Sequence, residues 1–270
     1  MVVTKMHANG NDFCVVSYEM NTFYDEIAKM VCDRRLGIGA DGLIVVKYHN
    51  KFEIEVYSPN GELSSINGNA VRCAAKYLYD LNLVNKKKLS ILARDEIVNV
   101  EIINNEPFEC LVNMGKPNLK NQMIYANDSI DCFGRIIDID GIKITIYSFY
   151  LANVQTVIFV DDLNNHLLDL AEKIHSYRLF ARKTNVNFVK IKNKQELEVK
   201  TYERNNGFVL ASGSGCCAAA YAAYKLGKVA NKIRCYVSHG YLDVEIKNKD
   251  EIILKGPAEK VFVCDIKEDK

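Results

Sequence analysis

Asn67-Gly-Asn-Ala-Val-Arg-Cys73 and, about half a chain length later, Ser212-Gly-Ser-Gly-Cys-Cys-Ala218 are the stretches that decide the fold. Each is a small, polar, glycine-containing loop that opens an alanine-rich helix. Such an opening presents backbone N–H groups at the positive end of the helix dipole, which suits an anion such as a carboxylate. Two of them in a pseudo-symmetric pair would point at one ligand from both sides. The alternative is a pair of ordinary helix starts, since Gly, Ser and Asn are common N-cap residues.

Around these two loops, strand-like and helix-like patterns alternate along the whole chain. Residues 52–57 alternate apolar and polar side chains, as a half-buried strand does. Asp140-Gly141 between two apolar runs predicts a hairpin turn. Four helices are predicted, over Tyr24–Cys32, Val71–Leu81, Leu167–His175 and Cys217–Leu226.

The composition bounds the size and the function class. A chain of 270 residues makes one large domain or two of ordinary size. Hydrophobic residues are 49% and charged residues 26% of the chain, both near globular averages. The net charge of +1 lacks the basic excess of a general nucleic-acid binder and of a polybasic membrane-binding surface. We therefore expect neither a nucleic acid nor a membrane as a partner.

The cysteines and the apolar runs bear on the compartment. The chain has 9 cysteines, an odd number, with no CxxC pair and no His-flanked metal spacing. The N-terminal residues contain no apolar stretch of secretory length, and the run Cys216–Tyr224 has about half the length of a membrane-spanning helix. Thiols in such a chain are typically reduced and buried. We expect a cytoplasmic protein that holds no metal.

A series of short motifs resembles the diaminopimelate epimerase family, and the motifs follow one another in the family's order. The resemblance spans nearly the whole chain, from residue 4 to about residue 264. The motifs are Lys5-Met-His-Ala-Asn-Gly-Asn-Asp-Phe13, Leu36-Gly-Ile-Gly-Ala-Asp-Gly-Leu43, Asn60-Gly61 with Asn67-Gly-Asn-Ala-Val-Arg-Cys73, Asn113-Met-Gly-Lys-Pro117, Thr184-Asn-Val186, Tyr202-Glu-Arg204, Ala211-Ser-Gly-Ser-Gly215 and Gly256-Pro-Ala258.

The resemblance implies an α+β fold of two pseudo-symmetric domains. In each, a curved and mostly antiparallel sheet wraps around a central helix. The helices after Asn67 and Ser212 would be these central helices, with their N-termini meeting at an interdomain cleft. The implied domains are residues 1–116 with 259–270, and residues 117–258. A homodimer is also implied.

The family consists of racemases and epimerases that work without pyridoxal phosphate, so the resemblance implies no cofactor. One cysteine removes the Cα proton as a thiolate, and another on the opposite face donates a proton as a thiol. A thiol suits this chemistry because its ordinary pKa, about 8.5, is easily shifted.

The chain departs from the family at the catalytic positions. The two cysteine positions hold Asn67 and Ser212, and the position of the family's histidine holds Gln155. An amide is no base, and a serine hydroxyl needs an adjacent base to activate it. Glu203 remains as the strong acid–base candidate.

The ligand-holding positions are better kept. Asn11 and Glu203 match residues that hold the substrate's α-amino group, and Gly68, Asn69, Gly213 and Ser214 match the donors to its α-carboxylate. Asn153, Asn185 and Arg204 match side chains that hold a distal carboxylate, while Ser58 stands where the family has Asn. An arginine among amides is a suitable carboxylate clamp. The implied ligand is a dicarboxylic amino acid, diaminopimelate or a thioether analogue of it, with glutamate-like acids as alternatives.

Three interpretations of the function stay open. The first is an isomerase that uses one base or carries out a different proton-transfer reaction. The second is a non-catalytic amino-acid-binding paralogue, and the third is an engineered trap with replaced cysteines. Arg204 has the alternative role of a surface ion-pair residue, and Cys216, near a helix start, is predicted to be a packing residue.

Overall fold

The computed structural model describes residues 1–64, 68–84, 86–120, 132–164, 167–203 and 206–266. The chain divides into two units, Met1–Asn113 with Lys255–Lys270, and Met114–Leu254. Boundaries after residues 116 and 258 were implied by the resemblance. Residues 114 and 115 lie with the second unit, since the N–H of Met114 donates to the carbonyl of Ile252 and the N–H of Ile252 to that of Gly115, both at 2.9 Å.

Among its described residues, the first unit contains two helices, and its strands pair mostly in antiparallel fashion. The pairs β2–β3 and β4–β5 are parallel, while β1–β2, β3–β4, β5–β6 and β6–β7 are antiparallel. Its elements are β1 (Val2–Ala8), β2 (Asn11–Ser17), α1 (Tyr24–Cys32), β3 (Gly42–Lys47), β4 (Phe52–Tyr57), α2 (Gly68–Asp80), β5 (Lys88–Ala93), β6 (Glu96–Asn105) and β7 (Phe108–Asn113).

The second unit repeats this style. Its pairs β10–β11 and β12–β14 are parallel, and the pairs β8–β9, β9–β10, β11–β12, β12–β13 and β14–β15 are antiparallel. Its elements are β8 (Phe133–Ile139), β9 (Ile142–Leu151), β10 (Asn153–Phe159), α3 (Leu167–His175), β11 (Asn185–Asn193), β12 (Glu196–Glu203), β13 (Gly207–Phe208), α4 (Gly213–Lys225), β14 (Lys232–Tyr236) and β15 (Tyr241–Lys247).

Two further strands complete the chain. The strand β16 (Glu251–Pro257) contains the boundary between the units, and β17 (Glu259–Asp265) pairs antiparallel with β1 in the first unit. Gly256 and Pro257 therefore lie inside a strand.

The helices α2 and α4 are the buried helices of their units. Every residue from Gly68 to Ala75 is buried in α2, and every residue from Gly213 to Ala223 is buried in α4. The alanines of both repeats are buried on these helices, and so are two large side chains, Arg72 of α2 and Tyr221 of α4. The predicted fold class, two units with a sheet and a central helix, is confirmed.

Both helices begin earlier than the sequence predicts. The predicted starts were Val71 and Cys217, whereas α2 begins at Gly68 and α4 at Gly213. Glycine ordinarily argues against a helix. In α4, however, the Ser212 side chain caps the first turn by accepting a hydrogen bond from the N–H of Gly215 at 3.2 Å. Within the described ranges, no helix is both long and apolar enough to span a lipid bilayer.

The cysteines are packing residues almost throughout. All of them are buried except Cys264, which is partly exposed. Cys216 and Cys217 lie in the apolar core around α4, which confirms the packing role predicted for Cys216. Burial raises the pKa of the Cys73 and Cys110 thiols to about 12.

We expect a chromogenic disulfide reagent at pH 8 to label Cys264 alone in the native chain, because the other thiols are buried away from the reagent. Labelling should be slow, because partial burial raises the pKa of the Cys264 thiol and leaves little thiolate. In denaturant, all 9 cysteines should react. The native signal should vanish in the Cys264→Ser variant. Fast labelling of a second thiol in the native chain would contradict the burial of the others.

Candidate functional site

In the second unit, three neighbouring strands change from apolar to polar on the face that packs against α4. Val157, Val189 and Val199 belong to the core around the helix. Because alternate residues of a strand share a face, the side chains two and four positions from each valine lie on the same face of its strand. These polar members are Asn153 and Gln155 on β10, Asn185 and Asn187 on β11, and Thr201 and Glu203 on β12. These six side chains, together with those of Ser212 and Ser214, form a polar cluster that we call the α4 cluster.

Ser212 and Glu203 form a hydrogen-bonded pair in this cluster. The Ser212 hydroxyl donates to Oε1 of Glu203 at 2.8 Å, while its oxygen accepts from the N–H of Gly215. Ser212 is 2% exposed, and its extended backbone is that of an ordinary N-cap. The hydroxyl proton is therefore directed at a carboxylate, the arrangement by which a base activates a serine.

Gln155 is held by a buried network. Its Nε2 donates to the Ser214 hydroxyl at 3.1 Å, and its Oε1 accepts from Nδ2 of Asn187 at 3.0 Å. The Thr201 hydroxyl in turn donates to Oδ1 of Asn187 at 2.9 Å. Sequence reasoning missed Asn187 and Thr201. Their signal was the two-residue spacing from Asn185 and Glu203, which places them on the same face of their strands.

Gly215 lets the first turn of α4 approach this network. A Cβ at this position would lie 2.6 Å from Oγ1 of Thr201, and it would also collide with Oδ1 of Asn187. Only glycine leaves room for the helix N-terminus against polar side chains. Gly213 and Ser214 then supply the remaining N–H groups of a first turn, which have no acceptor within a helix.

In the first unit, α2 begins beside Asn11. The Nδ2 of Asn69 donates to Oδ1 of Asn11 at 2.9 Å, and Nδ2 of Asn11 donates to Oδ2 of Asp41 at 2.7 Å. Gly68 and Asn69 are buried in the first turn of α2. The structure thus places three of the sequence-predicted ligand positions, Asn11, Gly68 and Asn69, together at the start of one helix.

Ser58 lies after β4 and bonds within its own loop. Its hydroxyl donates to the carbonyl of Glu62 at 3.1 Å, accepts from the N–H of Glu62 at 3.2 Å, and also contacts Asn60. The predicted role of Ser58 toward a distal carboxylate stays a prediction.

Two of the predicted site residues, Asn67 and Arg204, lie outside the described residues. The predicted placement of Asn67 opposite Ser212 therefore also stays a prediction. Asn153 and Asn185 begin β10 and β11, and the parallel register sets Gln155 beside Asn185.

The arrangement offers a helix N-terminus for a carboxylate and a Glu–Ser pair for proton transfer. An anion is stabilised by first-turn N–H groups, and a carboxylate within hydrogen-bond reach of a reacting proton serves as a general base. Among the described residues, no group of three or more His, Cys, Asp or Glu side chains is placed to hold a metal ion.

Comparison with known families agrees with these observations. Residues 3–120 and 147–261 match the family model described as diaminopimelate epimerase. The diaminopimelate epimerase of Clostridium perfringens is 35% identical, with 98% of each chain covered. That of Halothermothrix orenii is 33% identical, over 96% of this chain and 95% of its own.

Solved structures with much lower identity share the fold. A phenazine biosynthesis protein of the PhzF family from Bacillus anthracis aligns with a TM-score of 0.70 at 13% identity, covering 99% of both chains. A hydroxyproline epimerase from Agrobacterium vitis, solved with bound trans-4-hydroxy-L-proline, aligns with a TM-score of 0.69 at 10% identity. That alignment covers 98% of this chain and 91% of the other.

Proposed function

The chain belongs to the diaminopimelate epimerase family, and from this premise we propose that it binds a dicarboxylic α-amino acid and moves the proton of its Cα with one base and no cofactor. The observation that supports the proposed proton transfer is the 2.8 Å hydrogen bond from the Ser212 hydroxyl to the Glu203 carboxylate. It supplies a base and a hydroxyl at a position where the family's resemblance implies a thiol.

For the α-carboxylate we propose the residues that the resemblance implies, and these begin the central helix of each unit, α2 in the first and α4 in the second. Gly68 and Asn69 begin the former, and Gly213 and Ser214 begin the latter. Backbone N–H groups at a helix start stabilise a carboxylate and also the negative charge that develops on it when Cα loses its proton. In the proposed mechanism, the same N–H groups bind the carboxylate of the ligand and stabilise its carbanion.

The proton path runs through the Glu203–Ser212 pair. The Ser212 oxygen takes the proton from Cα while its own hydroxyl proton passes to the Glu203 carboxylate. The electron pair of the broken C–H bond stays on the ligand as an enolate. Reversal of both transfers returns a proton to the same face of Cα.

One base on one face has a stereochemical consequence. Inversion needs a proton donor on the opposite face, and the second thiol position holds Asn67, whose amide does not supply one. The chain should therefore exchange the Cα proton with solvent while retaining configuration.

The distal carboxylate is assigned to Asn153, Asn185 and Arg204, as the resemblance implies. Asn153 and Asn185 begin two strands that pair in parallel, and Asn185 is buried. The homodimer that the resemblance implies is likewise proposed, and light scattering of the purified chain checks it.

A second candidate function is amino-acid binding without chemistry. One observation favours it: the Gln155 amide, at the position of the family's histidine, is occupied on both of its ends by Ser214 and Asn187. In that case the α4 cluster would stabilise the start of α4 and would not transfer protons.

Incubation of the chain in D₂O with LL-diaminopimelate, L-2-aminopimelate and L-glutamate tests the proposal. We expect proton NMR to show loss of the Cα signal of at least one compound, and chiral chromatography to show unchanged configuration. Calorimetry under the same conditions reports binding.

Each other result has a definite meaning. Binding without exchange would favour the non-catalytic function. Fast inversion would show that the single-base assignment is wrong. Absence of binding to all three compounds would overturn the ligand assignment itself.

A further inference from the structure

The Asn11 side chain lies between a hydrogen-bond acceptor, Asp41, and a hydrogen-bond donor, Asn69. Its Nδ2 donates to the Asp41 carboxylate at 2.7 Å, and its Oδ1 accepts from the Asn69 amide at 2.9 Å. An amide has nearly the same shape at both ends, so its neighbours decide which end points where. A carboxylate only accepts, so Asp41 selects the NH₂ end of Asn11.

Asp41 is itself held firmly. Nη2 of Arg34 donates to its Oδ1 at 2.7 Å, and the backbone N–H of Asp12 donates to its Oδ2 at 3.3 Å. The N–H of Asp41 returns a hydrogen bond to Oδ1 of Asp12 at 3.1 Å. These bonds join the starts of β2 and β3, which pair in parallel from Phe13 and Gly42 onward.

The neighbouring Asp12 anchors the same arginine. Arg34 donates to both carboxylate oxygens of Asp12, at 2.7 and 3.2 Å, and Lys5 approaches the same carboxylate at 2.5 Å. Burial alone raises the pKa of Asp12, but the hydrogen bonds from Arg34 and Lys5 outweigh it and hold the pKa below its usual value. Two cations thus balance two carboxylates beside the start of α2.

From this arrangement we infer that Asp41 is a positioning residue: it orients the Asn11 amide so that the site recognises an α-ammonium group. With the NH₂ end bound to Asp41, the Asn11 oxygen keeps its second lone pair for a donor such as an ammonium N–H. The reverse orientation would turn two N–H donors toward that ammonium. The inference rests on the proposed function and on the match of Asn11 to a residue that holds the α-amino group in the family. It assigns a role to the motif at residues 36–43, which the proposed function leaves without one.

The test compares two probes that differ only in the α-amino group, L-2-aminopimelate and pimelate, by calorimetry. The parent chain should bind the amino compound at least about tenfold more tightly, because a charge-assisted hydrogen bond is lost in the other. In Asp41→Asn, either end of Asn11 can face residue 41. The preference should therefore fall to about threefold or less, with pimelate affinity little changed.

Asp33→Asn is the matched control. The Asp33 carboxylate accepts from the N–H groups of Arg35 and Leu36, both at 2.7 Å, in the same loop, and it makes no bond to Asn11. This variant removes a loop-stabilising carboxylate without touching the amide, and it should keep the parent's preference.

A swap of the two side chains separates positioning from general stability. In the double variant Asn11→Asp with Asp41→Asn, the carboxylate at position 11 only accepts, and the amide at position 41 donates to it. The preference for L-2-aminopimelate should return to within about threefold of the parent. A folded double variant that lacks this preference overturns the inference, even where Asp41→Asn alone does not fold.

The remaining outcomes distinguish this inference from the proposed function. If the parent prefers the amino compound and Asp41→Asn keeps that preference, only the role of Asp41 is wrong. If Asp41→Asn lowers the affinity for both probes equally, and the double variant does not restore it, Asp41 has a structural role instead. A parent without any preference overturns the amino-group assignment and the inference with it.

Discussion

Glu203→Gln is expected to slow deuterium exchange at the ligand's Cα by about 10²–10⁴-fold at saturating ligand, the range that a positioned general base contributes. The amide keeps the shape of the side chain and still accepts from the Ser212 hydroxyl, but it takes up no proton. Exchange followed by proton NMR in D₂O measures the effect, and saturation removes any loss of binding from the comparison.

Glu196→Gln provides a control on the same strand. The Glu196 carboxylate bonds to Tyr236 at 2.9 Å and to Asn193 at 2.6 Å, away from the α4 cluster, so its loss should leave the exchange rate unchanged. Ser212→Ala should slow exchange by a factor similar to Glu203→Gln, because it interrupts the proton path. It should also cost about 0.5–2 kcal/mol of stability as a lost N-cap. Parent-like exchange by a folded Glu203→Gln variant would remove Glu203 from the mechanism.

The double variant Asn67→Cys with Ser212→Cys is expected to epimerise LL-diaminopimelate at least about 10²-fold faster than the parent chain. It restores a titratable thiol at each position where the resemblance implies one, and inversion needs an acid and a base on opposite faces. The position before Gly213 lies at the start of α4, where the helix dipole favours a thiolate. Chiral chromatography of the product measures the rate.

The two single variants are the matched controls. Each carries one thiol only, so each should stay near the parent's rate of inversion although it has the same cysteine substitution at one position. Adding Gln155→His to the double variant should raise the rate further, since it returns an imidazole to the position of the family's histidine. A double variant with correct fold and binding but no gain would show that the two base positions are misassigned.

Much of the local structure was accessible from the printed sequence. The helices α1 and α3 have the bounds predicted for them, as has β4. These elements depend on short-range periodicity, because the side chains that fall on one face repeat every two or every three to four residues. The hairpin at residues 140 and 141 is also as predicted, with positive φ angles of 54° and 84°.

The starts of the two central helices show where local rules end. Glycine in α2 and α4 predicted loops up to Val71 and Cys217, yet both helices include these glycines. At Gly215 the reason is tertiary, since the glycine admits Asn187 and Thr201 from two other strands against the helix. No local propensity contains that information, because it depends on how distant segments pack.

The sequence by itself determined the repeat, the two units with their central helices, and the family. Only the tertiary structure decided how the polar side chains are used. It directs the Ser212 hydroxyl at Glu203, occupies Gln155 with Ser214 and Asn187, and turns the amide of Asn11 toward Asp41. The physical reason is that residue type and periodicity are properties of short segments. A hydrogen bond between side chains on different elements depends instead on strand register and helix position, which long-range packing sets.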